Sequence, residues 1–199
     1  MHLLLFTGFL GSGKTSLIIP LCKGVVHLGR RVAVIVNEIG DIGIDNQLMR
    51  QLDLNVWELV AGCICCTLSG DLVATLQKLD SDYAPDLVIV EASGAADPKS
   101  VLAALPYYRG QPLSSVRTAS VLDPLRLAML MEVMTPLVTS QIQHADLIIV
   151  SKTDLARPDE VEFARRTARE INPTARIVSV VAREHMKPEL ISELLPWLN

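Results

Sequence analysis

Two short stretches of this chain carry residue types whose spacing suits chemistry. The first is GFLGSGKT, Gly8 to Thr15, which matches the eight-residue phosphate-loop pattern in full. Gly8, Gly11 and Gly13 let successive backbone N–H groups turn toward phosphate oxygens without Cβ clashes. A helix starting near Lys14 would add the positive end of its dipole. Lys14 is spaced to reach the β- and γ-phosphates of a nucleotide and the Thr15 hydroxyl to ligate Mg²⁺, with Ser12 and Ser16 joining the nucleotide-binding set. The second stretch is GCICC, Gly62 to Cys66. Thiolates are soft ligands suited to zinc, and also to cobalt, nickel or Cu(I). In an extended backbone Cys63 and Cys65 face one side, and a turn at Cys65–Cys66 brings in a third sulfur. Three sulfurs leave a tetrahedral site one ligand short, which favours an exchangeable site over a sealed structural one. Glu38, in the glycine-broken segment NEIGDIGID (Asn37–Asp45), is a candidate to complete the shell, with Asp41 as a second. The alternative for the cysteines is packing as small buried thiols.

Further candidates follow other apolar runs. LVIVEASG places Glu91 at a strand end and Gly94 three residues later. A carboxylate there can hold the Mg²⁺ hydration shell or orient water, and the Gly94 N–H can approach a γ-phosphate. Asp123 is a weaker rival, because its Asp-Pro setting suggests a turn or a helix N-cap. SKTD, Ser151 to Asp154, ends another run. Asp154 there can accept from the guanine N1–H and 2-amino group together, a donor pair that adenine lacks. The aliphatic part of Lys152 can lie over the base. Cys22 sits among Leu17, Ile18 and Leu21 at helical spacing and reads as core. The four histidines are dispersed, and only His144, just before a strand, is held in reserve as a ligand.

The elements that must position these residues alternate. Strands are predicted over His2–Thr7, Val32–Asn37, Asn55–Leu59, Leu87–Glu91, Val116–Asp123, Leu147–Ser151 and Arg176–Val181, each apolar enough to be buried on both faces. Helices are predicted over Thr15–Leu28, Ser69–Leu79, Pro124–Met134, Pro158–Ile171 and Pro188–Leu195. The expected fold is therefore α/β: a mostly parallel sheet of about seven strands with helices on both faces, of the P-loop NTPase kind. Ligands of such sheets bind beyond the carboxyl ends of the strands, where all the clusters above lie.

Composition narrows the class. At 199 residues the chain suits one domain, able to bury roughly 70% of its unfolded surface. Half the residues are apolar and the mean hydropathy is +0.35, which excludes a disordered protein. A net charge of −4, with no basic face, argues against nucleic acid as the main partner. No apolar run approaches the roughly 20 residues that span a bilayer, and the start lacks the basic region of a signal peptide. The expectation is a soluble cytoplasmic protein, whose reducing surroundings favour thiolate–metal bonds over disulfides.

Together these motifs resemble the CobW/HypB/UreG family of metal-handling P-loop GTPases, and the CobW-like branch in particular. The resemblance rests on Gly8–Thr15, Asn37–Asp45, Gly62–Thr67, Glu91–Pro98 and Ser151–Asp154. It implies a Mg²⁺-dependent GTPase, cycling between GTP and GDP, that binds a transition metal (Zn²⁺, or Co²⁺ or Ni²⁺) through Cys63, Cys65 and Cys66. It makes Glu38 a metal-ligand candidate and Glu91 and Gly94 parts of the switch machinery. It further implies a metallochaperone or insertase serving a client metalloprotein or cofactor enzyme, with a homodimer as a further association. Residues 1–199 read as the single G domain, without the C-terminal domain that many CobW-like proteins carry. Ser151 departs from the usual Asn, which loosens the expected guanine geometry, and there is no histidine-rich tract for metal storage. No arginine is assignable as a finger in cis, so slow turnover without a partner is expected. Two other readings stay open. One is a GTP-driven reactivation protein for a cofactor-dependent enzyme, whose cysteines sense rather than deliver metal. The other is a small-molecule kinase on the same scaffold.

Overall fold

The computed structural model describes residues 1–36, 55–58, 68–181 and 188–196. Its strands are β1 (His2–Thr7), β2 (Val32–Val36), β3 (Asn55–Glu58), β4 (Leu87–Glu91), β5 (Ser115–Leu122), β6 (Leu147–Val150) and β7 (Arg176–Ser179). Among the described residues these form one seven-stranded sheet in the order β3-β2-β4-β1-β5-β6-β7. Every neighbouring pair is parallel. The helices are α1 (Lys14–His27), α2 (Leu68–Asp82), α3 (Pro98–Ala104), α4 (Pro124–Val133), α5 (Thr135–Gln143), α6 (Pro158–Ile171) and α7 (Pro188–Leu194), with a 3₁₀ turn at Leu105–Tyr107.

The alternation of side chains along each strand divides the core into two layers. Leu4 and Phe6 of β1, with Val34, Ile89 and Ile149, pack against Leu17, Ile18, Leu21 and Val25 of α1 and Leu190 and Leu194 of α7. Leu3 and Leu5 point the other way, toward Leu72, Leu76 and Leu79 of α2 and Val101 of α3. On that same side Ile148 and Val150 meet α4, α5 and α6 through Leu127, Leu130, Val138, Ile142, Ala164 and Ala168. Cys22 lies wholly within the first layer, and burial raises its thiol pKa to about 12, so it stays an inert packing group.

The apolar strands β1, β2, β4 and β6 are buried on both faces as their sequences imply, apart from the half-exposed His2 at the start of β1. The last strand differs. Arg176–Ser179 is half exposed; among the described residues it pairs only with β6, and no strand lies on its far edge. Helix α5 was not expected from the sequence; Pro136 sits in its first turn, where a missing N–H costs nothing.

Candidate nucleotide-binding site

Parallel pairing brings the carboxyl ends of four strands side by side. Phe6 of β1 is in register with Glu91 of β4 and with Ala119 of β5, and Leu122 of β5 with Val150 of β6. The segments that follow these ends, Gly8–Thr15, Glu91–Asp97, Asp123 onward and Ser151–Asp154, therefore meet along one edge of the sheet. Val36 and Glu58, which end β2 and β3, lie level with Glu91 in the same ladder. The segments beyond them hold Glu38, Asp41, Cys63, Cys65 and Cys66, which lie outside the described residues. Among the described residues no three His, Cys, Asp or Glu side chains gather as metal ligands.

The loop between β1 and α1 has the backbone its glycines permit. Gly8, Gly11 and Gly13 take φ of +134°, +74° and +99°. A Cβ on Gly8 would stand 2.4 Å from the Val121 carbonyl oxygen, so the chain leaves β1 hard against β5. The carbonyls of the loop are engaged one after another by side chains. Lys14, buried at the start of α1, donates from Nζ to Gly8 O at 2.9 Å and Phe9 O at 3.3 Å. Arg126 of α4 donates to Leu10 O at 2.9 Å. Lys152 donates to Gly11 O at 2.6 Å. The buried Ser151 hydroxyl sits 2.7 Å from Ser12 O and 3.1 Å from Leu122 O, and its single proton favours the nearer. Such engagement gives each of these carbonyls a charged or hydroxyl donor and so fixes the course of the loop. The Ser12 hydroxyl is buried with no hydrogen-bond partner among the described residues, so the loop keeps an unused donor.

Thr15, in the first turn of α1, donates its hydroxyl to Glu91 Oε1 at 2.8 Å, and Glu91 is largely buried at the end of β4. A hydroxyl and a carboxylate are hard oxygen ligands of the kind Mg²⁺ accepts, so this pair fits that ion. Gly94 approaches the loop from the same strand end: a Cβ there would lie 2.3 Å from the Leu10 nitrogen. The loop carrying Gly94 is held from behind by α5. Gln141, only 1% exposed, donates its side-chain amide to both Gly94 O and Ala96 O at 3.3 Å. Ser140 donates to Asp97 Oδ1 at 2.6 Å, and the same carboxylate oxygen caps α3 by accepting from Lys99 N. His144 bonds back to Ser140 O, which makes it a helix-end side chain rather than part of a ligand cluster.

Asp123 caps α4 through the Leu125 N–H and pairs with Lys152 at 2.7 Å. The helix-cap reading of Asp-Pro is thus the observed one. Lys152 has φ of +53°, an uncommon conformation for a side chain with a Cβ, and its two bonds at Nζ hold it there. Asp154, two residues on, is exposed, with no hydrogen-bond or ion-pair partner among the described residues. Arg126, Ser140 and Gln141 were not singled out in the sequence. Each looks like ordinary polar filler there, and the fold brings it to the site.

The nucleotide-binding domain model of the CobW/HypB/UreG family matches residues 2–179. The chain belongs to this family. It is 30% identical over 202 residues to the zinc-regulated GTPase metalloprotein activator 1 of Schizosaccharomyces pombe, covering 96% of this chain and 47% of that protein. It is 32% identical over 165 residues to the zinc chaperone YeiR of Escherichia coli, covering 81% of this chain and 49% of that one. The chain thus spans about half the length of these curated relatives. The Zn(II)-bound YjiA GTPase of E. coli superposes with a TM-score of 0.68 at 22% identity, over 98% of this chain and 61% of that one, a likeness of fold. As a member of the CobW/HypB/UreG family, the chain carries its glycine loop, Glu91, Gly94 and the SKTD segment on one sheet edge. Among the described residues no helix is long and apolar enough to cross a membrane.

Proposed function

We propose that the chain is a Mg²⁺-dependent GTPase that controls the capture and release of a transition metal, zinc foremost, for a client metalloprotein or cofactor enzyme in the cytoplasm. The observation that carries this reading is the convergence on one loop of Lys14, the Thr15–Glu91 pair and the Gly94 backbone. Membership of the family and the zinc-handling names of its relatives support the metal half.

In this reading the N–H groups of Gly11 to Thr15 receive the phosphates. Lys14 moves from Gly8 O and Phe9 O to the β- and γ-phosphate oxygens, exchanging neutral acceptors for charged ones. Mg²⁺, when bound, neutralises developing charge on the phosphates, and Thr15 and Glu91 are the residues that would hold it. Gly94 presents its N–H to the γ-phosphate and, through Gln141, ties that contact to α5. Asp154 selects guanine, and Lys152 covers the base. Cys63, Cys65 and Cys66, with Glu38, hold the metal as cargo on segments that follow β3 and β2; β2 lies beside the strand of Glu91 and β3 one place further out. Loss of the γ-phosphate relaxes the Gly94 segment and changes the metal site, an order–disorder coupling that must be reciprocal.

The direct test is an anaerobic Co²⁺ titration, followed by thiolate-to-metal absorbance, with Mg²⁺ and either GDP or a non-hydrolysable GTP analogue. A thiolate band whose midpoint depends on the nucleotide is the expected result. An identical midpoint in apo, GDP and GTP-analogue forms would remove the coupling, and no band would remove the metal site. Replacing Cys65 and Cys66 together by Ser should weaken metal binding by roughly 100-fold or more, since hydroxyls are poor substitutes for soft thiolates. Competition against a zinc chelator reads that change directly.

Base selection has its own test. Asp154→Asn should lower affinity for GDP by at least ~100-fold, because the amide offers a donor where guanine also donates. The same amide suits the 2-oxo group of xanthine, so affinity for XDP should rise. Parallel titrations of the two diphosphates check the exchange, and an unchanged ratio removes Asp154 from base recognition.

A further inference from the structure

The phosphate loop contains a turn whose central peptide is free to face either way unless something holds it. Ser12 N donates to Phe9 O at 3.0 Å, closing a four-residue turn with Leu10 and Gly11 at its centre. Gly11 has φ of +74° while Leu10 stays at negative φ, the pattern of a type II turn. Rotating the Leu10–Gly11 peptide by about half a turn converts type II to type I, and glycine tolerates both forms. The two forms differ in where the Leu10 carbonyl and the Gly11 N–H point, because a planar trans peptide keeps these groups opposed. Glycine at position 11 therefore permits the observed form without enforcing it.

Arg126 supplies the enforcement. Its Nη1 donates to Leu10 O at 2.9 Å and lies 3.6 Å from where a Cβ on Gly11 would be. Its own position is fixed by Asp123, whose carbonyl accepts from Arg126 N at 3.1 Å and whose carboxylate caps the same helical turn. No carboxylate pairs with Arg126 among the described residues, so the guanidinium is not drawn elsewhere. We propose that Arg126 is a positioning residue, which locks the Leu10–Gly11 peptide in the type II form and so commits the Gly11 N–H to the bound phosphates. Arg126 does not touch the phosphates in this assignment; it acts through the peptide. The inference rests on the nucleotide reading above.

The test uses the whole chain, with R126A, R126K, G11A and the R126A/G11A double variant. Affinities for GDP and GTPγS and single-turnover GTP hydrolysis are the readouts. R126A should weaken GTPγS binding and slow hydrolysis by roughly tenfold, the scale of one lost charge-assisted hydrogen bond. R126K should restore both to within about threefold, since a single N–H donor on Leu10 O is enough. G11A disfavours the same turn form from the other side, so the double variant should be no worse than G11A by more than about twofold. Wild-type activity in R126A, failure of lysine to rescue, or additive losses in the double variant would each overturn the lock. The wild type separates the two claims: if it binds neither nucleotide, the proposed function falls, whereas tight wild-type binding with an indifferent R126A removes this inference alone. Arg126 is exposed and outside all the cores, so its replacement leaves the fold in place.

Discussion

Gly94→Ala should cut kcat/KM for GTP by roughly 100-fold or more, the cost of displacing one preorganised donor from a developing charge. A Cβ at this position would lie 2.3 Å from the Leu10 nitrogen, 3.0 Å from its Cα and 3.1 Å from its Cβ. Two of these neighbours are backbone atoms and cannot swing aside as a side-chain tip would. Retreat in the other direction is blocked as well, because buried Gln141 holds the Gly94 and Ala96 carbonyls from α5. Either the phosphate loop opens or the Gln141 contacts break, and both separate Gly94 from a γ-phosphate. GDP affinity should change far less than GTPγS affinity, since the diphosphate ends short of this contact. Fluorescence titration of the two nucleotides, with single-turnover hydrolysis, checks the asymmetry. Equal losses for both would mean that Gly94 supports the loop generally and does not address the terminal phosphate.

Lys14→Ala should abolish measurable turnover, a loss on the order of 1,000-fold or greater, because phosphoryl transfer relies on positioned positive charge. The lysine is 6% exposed, and its ammonium is held by carbonyls of the loop it serves. It is thus preplaced within its own side chain's reach of the cradle. Removing it leaves the hydrophobic layers unchanged, since none of them uses Lys14. Thermal melting separates the effects. The variant should melt close to the wild type without ligand but fail to gain the stabilisation that Mg·GDP gives the wild type. Retained hydrolysis would place the reaction elsewhere on the molecule.

Much of this architecture was legible because it rests on punctuation and apolar runs. Leu87–Glu91 and Pro158–Ile171 have the bounds expected from sequence, the first set by a five-residue apolar strand and the second by Pro158 and Asn172-Pro173. Strands β5 and β6 end one residue before their expected bounds. Asp123 and Ser151 leave the ladder, Asp123 to cap α4 and Ser151 to hold the phosphate loop. Helix α5, and the role of Arg126 within the expected helix α4, escaped notice for a different reason. Gln141 and Arg126 matter through contacts 45 and 116 residues away along the chain, and no local pattern encodes such distances. Ser151 shows the same limit. In sequence it is a departure from Asn, yet the structure has its hydroxyl on the Ser12 carbonyl, tying the SKTD segment to the glycine loop.

The sheet order also governs when this site comes into being. The first strand of the chain is central in the sheet, flanked by β4 and β5, while the strand that follows it in sequence lies one place further out. A growing chain that has made the phosphate loop has nothing to set it against until residues 87–91 and 115–122 emerge, and Ser151 and Lys152 come later still. Closing such long loops is an entropic barrier met before any contact repays it, so assembly is slow by topology. The supports of the glycine loop are thus completed late in synthesis. A partially made chain carries the glycine loop before the residues that hold its Gly11 and Ser12 carbonyls exist.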